Sequence, residues 1–137
     1  METRKRETVS VRTSGEVVSV RHMVRKWAVE IGLSLVEQTK VVTAASELAR
    51  NMIDYGGGGT VMLEDIEDGI RRGLRLTFFD QGPGIPDIEQ ALRDGFTTGG
   101  GMGLGLGGAR RLSNQFEIDS GPGRGTRVTI VRWKGAS

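Results

Sequence analysis

"TVMLEDIEDGIRRGLRLTFFD", from Thr60 to Asp80, decides the fold. Two stretches rich in β-branched and apolar residues, "TVMLEDIED" and "RRGLRLTFFD", flank a turn signal at Asp68-Gly69, so the segment reads as a β-hairpin. Two strands joined by a tight turn must run antiparallel. Upstream, "ETVSVRT" alternates like a strand. It is followed by apolar positions at helical spacing: Val17, Val20, Val24, Trp27, Ala28 and Ile31. Ser14 is a plausible N-cap of this helix and Gly32 its stop. Ser34 caps a second helix, "LVEQTKVVTAASELARNMIDY", which ends at the run Gly56 to Gly59.

Downstream, "IPDIEQALRDG" reads as a short helix with Asp87 in its first turn, and "LGLGGARRLSNQ" as another. "FEIDS" and "TRVTIVRW" form the last strands, joined by the turn "GPGRG". Hairpins mixed with helices predict an α+β fold. It is expected to be a two-layer sandwich with a mixed, mostly antiparallel sheet and helices on one face.

Composition narrows the class. The 137 residues suit a single domain, 1–137, with 36% hydrophobic and 26% charged residues, as expected of a soluble globular chain. A net charge of +2 is too balanced to indicate a nucleic-acid partner. The basic start "METRKR" reads as a solvated tail, with residues 1–7 expected to be flexible. The absence of cysteine excludes disulfides and thiolate chemistry, and fits a reducing cytoplasm. No apolar run approaches a membrane span, so no membrane partner is expected.

Three motifs carry chemistry. Glu47 and Asn51 lie four residues apart on the second helix, which puts both on one face. Taken alone, they read more readily as two solvated polar residues on an amphipathic helix. "DQGPGIP" follows a strongly apolar strand end, so Asp80 sits where a strand emerges, with Gly82 and Gly84 behind it. A carboxylate there can accept a hydrogen bond from a ligand amine, and the glycines permit close approach to backbone. An ordinary turn stiffened by Pro83 and Pro86 is the plainer reading.

The third motif is "GFTTGGGMGLGLGG", Gly95 to Gly108, set just before a helix. Such a loop can aim backbone N–H groups at a phosphate, helped by the helix N-terminus. Its apolar spacers Met102, Leu104 and Leu106 argue against a flexible linker, which would be polar. A Walker loop needs a lysine, and none lies between Lys40 and Lys134. A dinucleotide-binding βαβ unit is also missing, because "DGFTT" before the glycines is no buried strand.

Four boxes in order, "ELARN" (47–51), "DQGPG" (80–84), "GMGLG" (101–105) and "GRGT" (123–126), resemble the N, G1, G2 and G3 boxes of the GHKL or Bergerat-fold ATPases. The resemblance covers roughly Val9 to Trp133. Within that superfamily the chain is most similar to the anti-sigma-factor-type serine/threonine protein kinases. "SELARN", "DQGPGIPDI" and "DGFTTGGGMGLGL" resemble above all the switch kinases of the bacterial stressosome. The only histidine, His22, lacks an acidic neighbour and reads as a helix-surface residue rather than a phosphoacceptor.

The resemblance implies the following roles. Asp80 would bind the adenine amino group, with Gly82, Gly84 and Ile85 close to the base. Asn51 would hold Mg²⁺, and Glu47 would take the proton of an attacking hydroxyl. Thr98, Gly99, Gly100, Gly101, Met102, Gly103, Leu104, Gly105 and Leu106 would wrap the phosphates of ATP, with Phe96 to Gly100 as a lid. Thr126 would support the adenine side. The lid has no lysine or arginine, so Arg50, Arg110 and Arg111 are candidates for balancing phosphate charge.

The implied activity is phosphorylation of a serine or threonine on a STAS-domain antagonist protein, using Mg-ATP in the cytoplasm. A PP2C-type phosphatase as a second partner and a homodimer are compatible with the resemblance. Two further readings stay open at this point. One is a nucleotide-dependent module that activates such a phosphatase. The other is a factor that sequesters a sigma subunit.

Overall fold

The chain leaves its first strand and enters its first helix at Thr13, where a reciprocal cap forms. The Thr13 hydroxyl accepts the Glu16 N–H at 3.2 Å, and the Glu16 carboxylate accepts the Thr13 N–H at 3.1 Å. Thr13 thus takes the capping position expected for Ser14, and Ser14 becomes the first helical residue. The structure is a computed structural model and describes residues 1–93 and 104–136.

The elements are β1 (Glu2–Val11), α1 (Ser14–Ile31), α2 (Leu35–Gly56), β2 (Gly59–Asp68), β3 (Arg71–Asp80), α3 (Ile88–Ala91), α4 (Leu104–Arg111), β4 (Gln115–Ser120) and β5 (Thr126–Trp133). Gly32 closes α1, and Ser34 with Glu37 forms a second capping box at the start of α2, as expected.

The sheet order is β1-β2-β3-β5-β4, and each ladder among the described residues is antiparallel. The mixed sheet expected from sequence is therefore corrected to an antiparallel one. The reason is topological. The helical connection after β3 brings β4 back in the same direction as β3, but β5 then inserts between them, so no parallel pair is adjacent.

Residues 1–7 also differ from the expected flexible tail, since β1 begins at Glu2 and pairs with β2. From Glu2 to Thr8 its residues are exposed, so no buried alternation announces its start. Its basic side chains reach acids on other elements: Arg4 pairs with Glu67 at 3.6 Å, Lys5 with Glu30 at 3.9 Å, and Arg6 with Glu64 at 2.9 Å. Lys5 also lies 4.2 Å from the centre of the Trp27 ring, a cation–π contact.

Helices α1 and α2 cover one face of the sheet. Val61, Leu63, Leu74, Leu76, Phe78, Val128 and Ile130 project from the strands into this layer. They meet Val20, Val24, Trp27, Val41, Leu48 and Met52 from the helices, all buried. On the far face, Ile66, Val131 and Trp133 form a smaller cluster. No helix among the described residues is long and apolar enough to cross a membrane.

Candidate functional site

In β3 the alternate residues Leu74, Leu76 and Phe78 face the helices, and Asp80 ends that row. Period-two geometry therefore delivers a carboxylate to the helical side of the sheet, at the C-terminal end of its central strand. Asp80 is 9% exposed. Burial raises its pKa above the usual aspartate value, and hydrogen bonds from the N–H groups of Gly82 and Thr126 pull it partly back. The Gly82 N–H donates to Oδ1 at 2.9 Å. Directly opposite Asp80 stand Thr126 of β5 and Gly59 of β2.

The backbone closes tightly around this carboxylate. Gly56, the last residue of α2, lies so near that a Cβ there would stand 2.6 Å from Asp80 Oδ2. A Cβ on Gly82 would come within 2.6 Å of the Gly56 Cα. A Cβ on Gly125 would collide with the Asp80 carbonyl. Gly84 has φ +82° and packs on the backbone of Gly121, whose carbonyl carbon a Cβ would approach to 2.7 Å. Only glycine satisfies both demands at Gly84.

The loop after β3 is fastened to the turn between β4 and β5. The Gly123 N–H donates to the Pro83 carbonyl at 2.8 Å. The Ile85 N–H donates to Ser120 Oγ at 2.8 Å. Ser120, 8% exposed, also contacts the Gly125 carbonyl at 2.9 Å and Thr126 Oγ1 at 2.8 Å.

These elements enclose a pocket between α2 and the strand ends. Its apolar walls are Leu48, Met52, Phe78, Ile85, Leu106 and Val128, and its polar groups are Asn51, Tyr55, Asp80 and Thr126, with Gly56 and Gly84 completing the lining. The space between atoms, counting the open mouth, is about 540 Å³. A mostly apolar cleft with a few convergent polar groups is the usual form of a small-molecule site. The planar, mainly apolar body and polar edge of a nucleobase suit it.

Asn51 reaches this pocket from α2, and its Nδ2 is buried with no hydrogen-bond partner among the described residues. A buried, unpaired amide is costly unless a ligand completes it. A half-turn of the same amide would present its oxygen instead. Among the described residues no group of three or more acidic or histidine side chains could hold a metal by itself. In that turned orientation the Asn51 amide oxygen is a hard ligand of the type magnesium takes together with phosphates and waters.

Glu47 stands one helical turn before Asn51, exposed and outside the pocket wall. Leu106 is buried on α4 and lines the pocket, while Leu104 and Gly105 open that helix. The structure thus brings Asn51, Asp80, Gly84, Ile85, Leu106 and Thr126 together, with Gly82 directly behind Asp80. Thr98, Gly99, Gly100, Gly101, Met102 and Gly103, with the expected lid from Phe96, lie outside the described residues.

Of the candidate arginines, Arg50 donates to Ser14 Oγ at 3.1 Å, toward the start of α1. Arg110 and Arg111 occupy the last turn of α4, at its C-terminal end. Sequence reasoning missed Ser120, Tyr55, Gly56 and Gly125 as parts of the site. Gly56 read only as the end of a helix, and Ser120 only as the end of a strand. Gly125 stood within a recognised motif but carried no assigned role.

Comparisons with known proteins show the family and the fold. The sequence profile of the histidine kinase-, DNA gyrase B- and HSP90-like ATPases matches residues 36–136. The chain is 42% identical over 125 residues to the serine/threonine-protein kinase RsbT of Bacillus subtilis (strain 168), covering 91% of this chain and 94% of that protein. It is 30% identical over 121 residues to the anti-sigma F factor of Thermoanaerobacter sp. (strain X514), covering 85% and 84% respectively. Among solved structures, the RsbU and RsbW domains of a Mycobacterium tuberculosis protein align with a TM-score of 0.66 at 22% identity, over 96% of this chain and 34% of that one. The mycobacterial sensor histidine kinase MprB aligns with a TM-score of 0.57 at 22% identity, over 94% and 97%. At such identities these two structures speak to the fold alone.

Proposed function

The chain belongs to the histidine kinase-, DNA gyrase B- and HSP90-like ATPase family, and from that premise we propose that it is an ATP-dependent protein serine/threonine kinase of the partner-switching type. Its substrate in this reading is a STAS-domain antagonist protein, with a PP2C-type phosphatase as a further partner, in the cytoplasm where ATP is held. The observation that carries the reading is the convergence of Asn51, Asp80 and Thr126, from three different elements, on one apolar pocket.

In this mechanism Asp80 and Thr126 recognise the base edge, while Leu48, Met52, Ile85 and Leu106 exclude water from its faces. Asn51 would hold magnesium, which when bound neutralises charge on the phosphates. Glu47 is exposed, where a partner's hydroxyl can reach it. It takes that proton as the hydroxyl oxygen bonds to the γ-phosphorus. The bond to the β–γ bridging oxygen breaks, and ADP leaves. A carboxylate within reach of the incoming hydroxyl is a suitable general base.

The test is incubation of the full chain with Mg-ATP labelled at the γ-phosphate and a purified STAS-domain protein. Label on a serine or threonine of that protein is expected. ATP binding without transfer, together with ATP-dependent capture of a phosphatase or a sigma subunit, would overturn the kinase reading in favour of a binding switch.

A further inference from the structure

We propose that Ser120 is a positioning residue that sets the hydrogen-bonding polarity of the nucleotide pocket. It draws the Thr126 hydroxyl proton away from the pocket, so that Thr126, like Asp80, offers the base only an acceptor. The proposal rests on the nucleotide-binding reading above and assigns it a selection rule.

The wiring follows from counting protons. A serine hydroxyl has one proton to donate and two lone pairs to accept with. Ser120 Oγ has three partners: the Ile85 N–H at 2.8 Å, the Gly125 carbonyl at 2.9 Å and Thr126 Oγ1 at 2.8 Å. The Ile85 N–H can only donate, so it takes one lone pair. The Gly125 carbonyl can only accept, so it takes the single proton. One lone pair remains for Thr126, which must therefore be the donor.

The Thr126 proton is then committed to Ser120, which leaves this hydroxyl only lone pairs to offer the pocket that Thr126 lines. Asp80, directly across the ladder from Thr126, is an acceptor as well when ionised. A base placed against this wall must bring a donor to it, as the exocyclic amine of adenine does. A carbonyl at that position meets oxygen lone pairs.

The same hydroxyl ties the loop after β3 to the turn before β5, so Ser120 couples the shape of the pocket to its polarity. A merely structural role would affect all nucleotides alike. A polarity role would change one relative to another.

The experiment compares dissociation constants for Mg-ATP and Mg-inosine triphosphate, which carries a carbonyl where adenine has its amine. The full chain is used as wild type, Ser120→Ala, Thr126→Val and the double variant. Wild type is expected to favour ATP. In Ser120→Ala the Thr126 proton is free to turn toward the pocket, and the ATP preference should fall about fivefold to tenfold, the worth of one hydrogen bond.

In the Thr126→Val background the same Ser120 change should leave the preference unmoved. Equal weakening of both nucleotides by Ser120→Ala overturns the proposal, as does a shift that persists without the Thr126 hydroxyl. If the alanine variant fails to fold, Ser120→Cys, a weaker donor and acceptor, must lower the preference in the same direction. An unchanged preference in that variant also overturns it. Wild type that binds neither nucleotide defeats the nucleotide reading itself, a separate result.

Discussion

The last residue of α2, Gly56, faces the last residue of β3, Asp80, so closely that a single added methyl would stand 2.6 Å from the Asp80 carboxylate oxygen Oδ2. The end of a helix and the end of a strand thus share one space, and glycine keeps it open. Gly56 is not among the residues with positive φ, so alanine can adopt its backbone. Gly56→Ala should leave the helix intact while pushing the carboxylate out of place, and Mg-ATP affinity should fall tenfold or more, about 1.4 kcal/mol.

Gly57 supplies the contrast. It caps α2 with φ +75° and has open space around its Cα. Gly57→Ala should cost about 1 kcal/mol of stability through the left-handed backbone and leave nucleotide affinity unchanged. Thermal unfolding and calorimetry on the two variants separate the effects. Equal ATP affinity in both would refute the placement of Gly56.

Asp80→Asn should trade stability against binding. The raised pKa of Asp80 means that burial opposes its charge. An acid with a raised folded pKa contributes stability that is present at low pH and lost as pH rises through that pKa. At pH 7, in the absence of nucleotide, the asparagine variant should therefore unfold at the same temperature as wild type or higher. The gap should close below the carboxylate range. ATP affinity should drop by roughly 1–3 kcal/mol, because an amide cannot match a carboxylate as acceptor. Calorimetric titration and unfolding curves at pH 7 and pH 3 check both halves.

Glu64 is the opposite case, a buried acid whose pKa is lowered. The Arg75 guanidinium bonds it at 2.8 Å and 3.1 Å and outweighs the cost of burial, with Arg6 assisting at 2.9 Å. It joins β1, β2 and β3 through one carboxylate. A lowered folded pKa contributes stability that is present above the unfolded value and lost as pH falls through the folded one. Glu64→Gln should cost about 1.5–3 kcal/mol at pH 7 and flatten the acid limb of the stability curve, with ATP affinity unmoved. Chemical denaturation between pH 3 and pH 7 provides the measurement.

Local signals made much of this legible in the sequence. The glycine stops after Ile31 and Tyr55, the Ser34 cap and the hairpin turn at Gly69 each act within a few residues, and the structure places elements accordingly. Asp80 and Asn51 were readable because strand and helix periods fix their faces. The start of β1 was not readable, because its residues are exposed and its pairing is settled by acids on β2 and α1. The fastening of Ile85 to Ser120 spans 35 positions, and no local pattern encodes a contact between two loops. Gly56 was visible as punctuation, but its second duty appears only when β3 is folded against α2.

The decisive test of chemistry falls on Glu47. It stands on the same helix as Asn51, one turn earlier, exposed, and outside the wall of the base pocket. A residue so placed contributes little to holding the base, and it is open to an incoming partner. If it accepts the proton of the attacking hydroxyl, its effect is confined to the transition state. Glu47→Gln keeps the shape and removes the proton acceptor, so ATP affinity should change little. Transfer to the protein substrate should fall by about 10²-fold or more. Paired measurements of ATP binding and labelled phosphate transfer decide the matter. Loss of both together would make Glu47 a nucleotide ligand instead, and full transfer by the glutamine variant would remove it from the reaction.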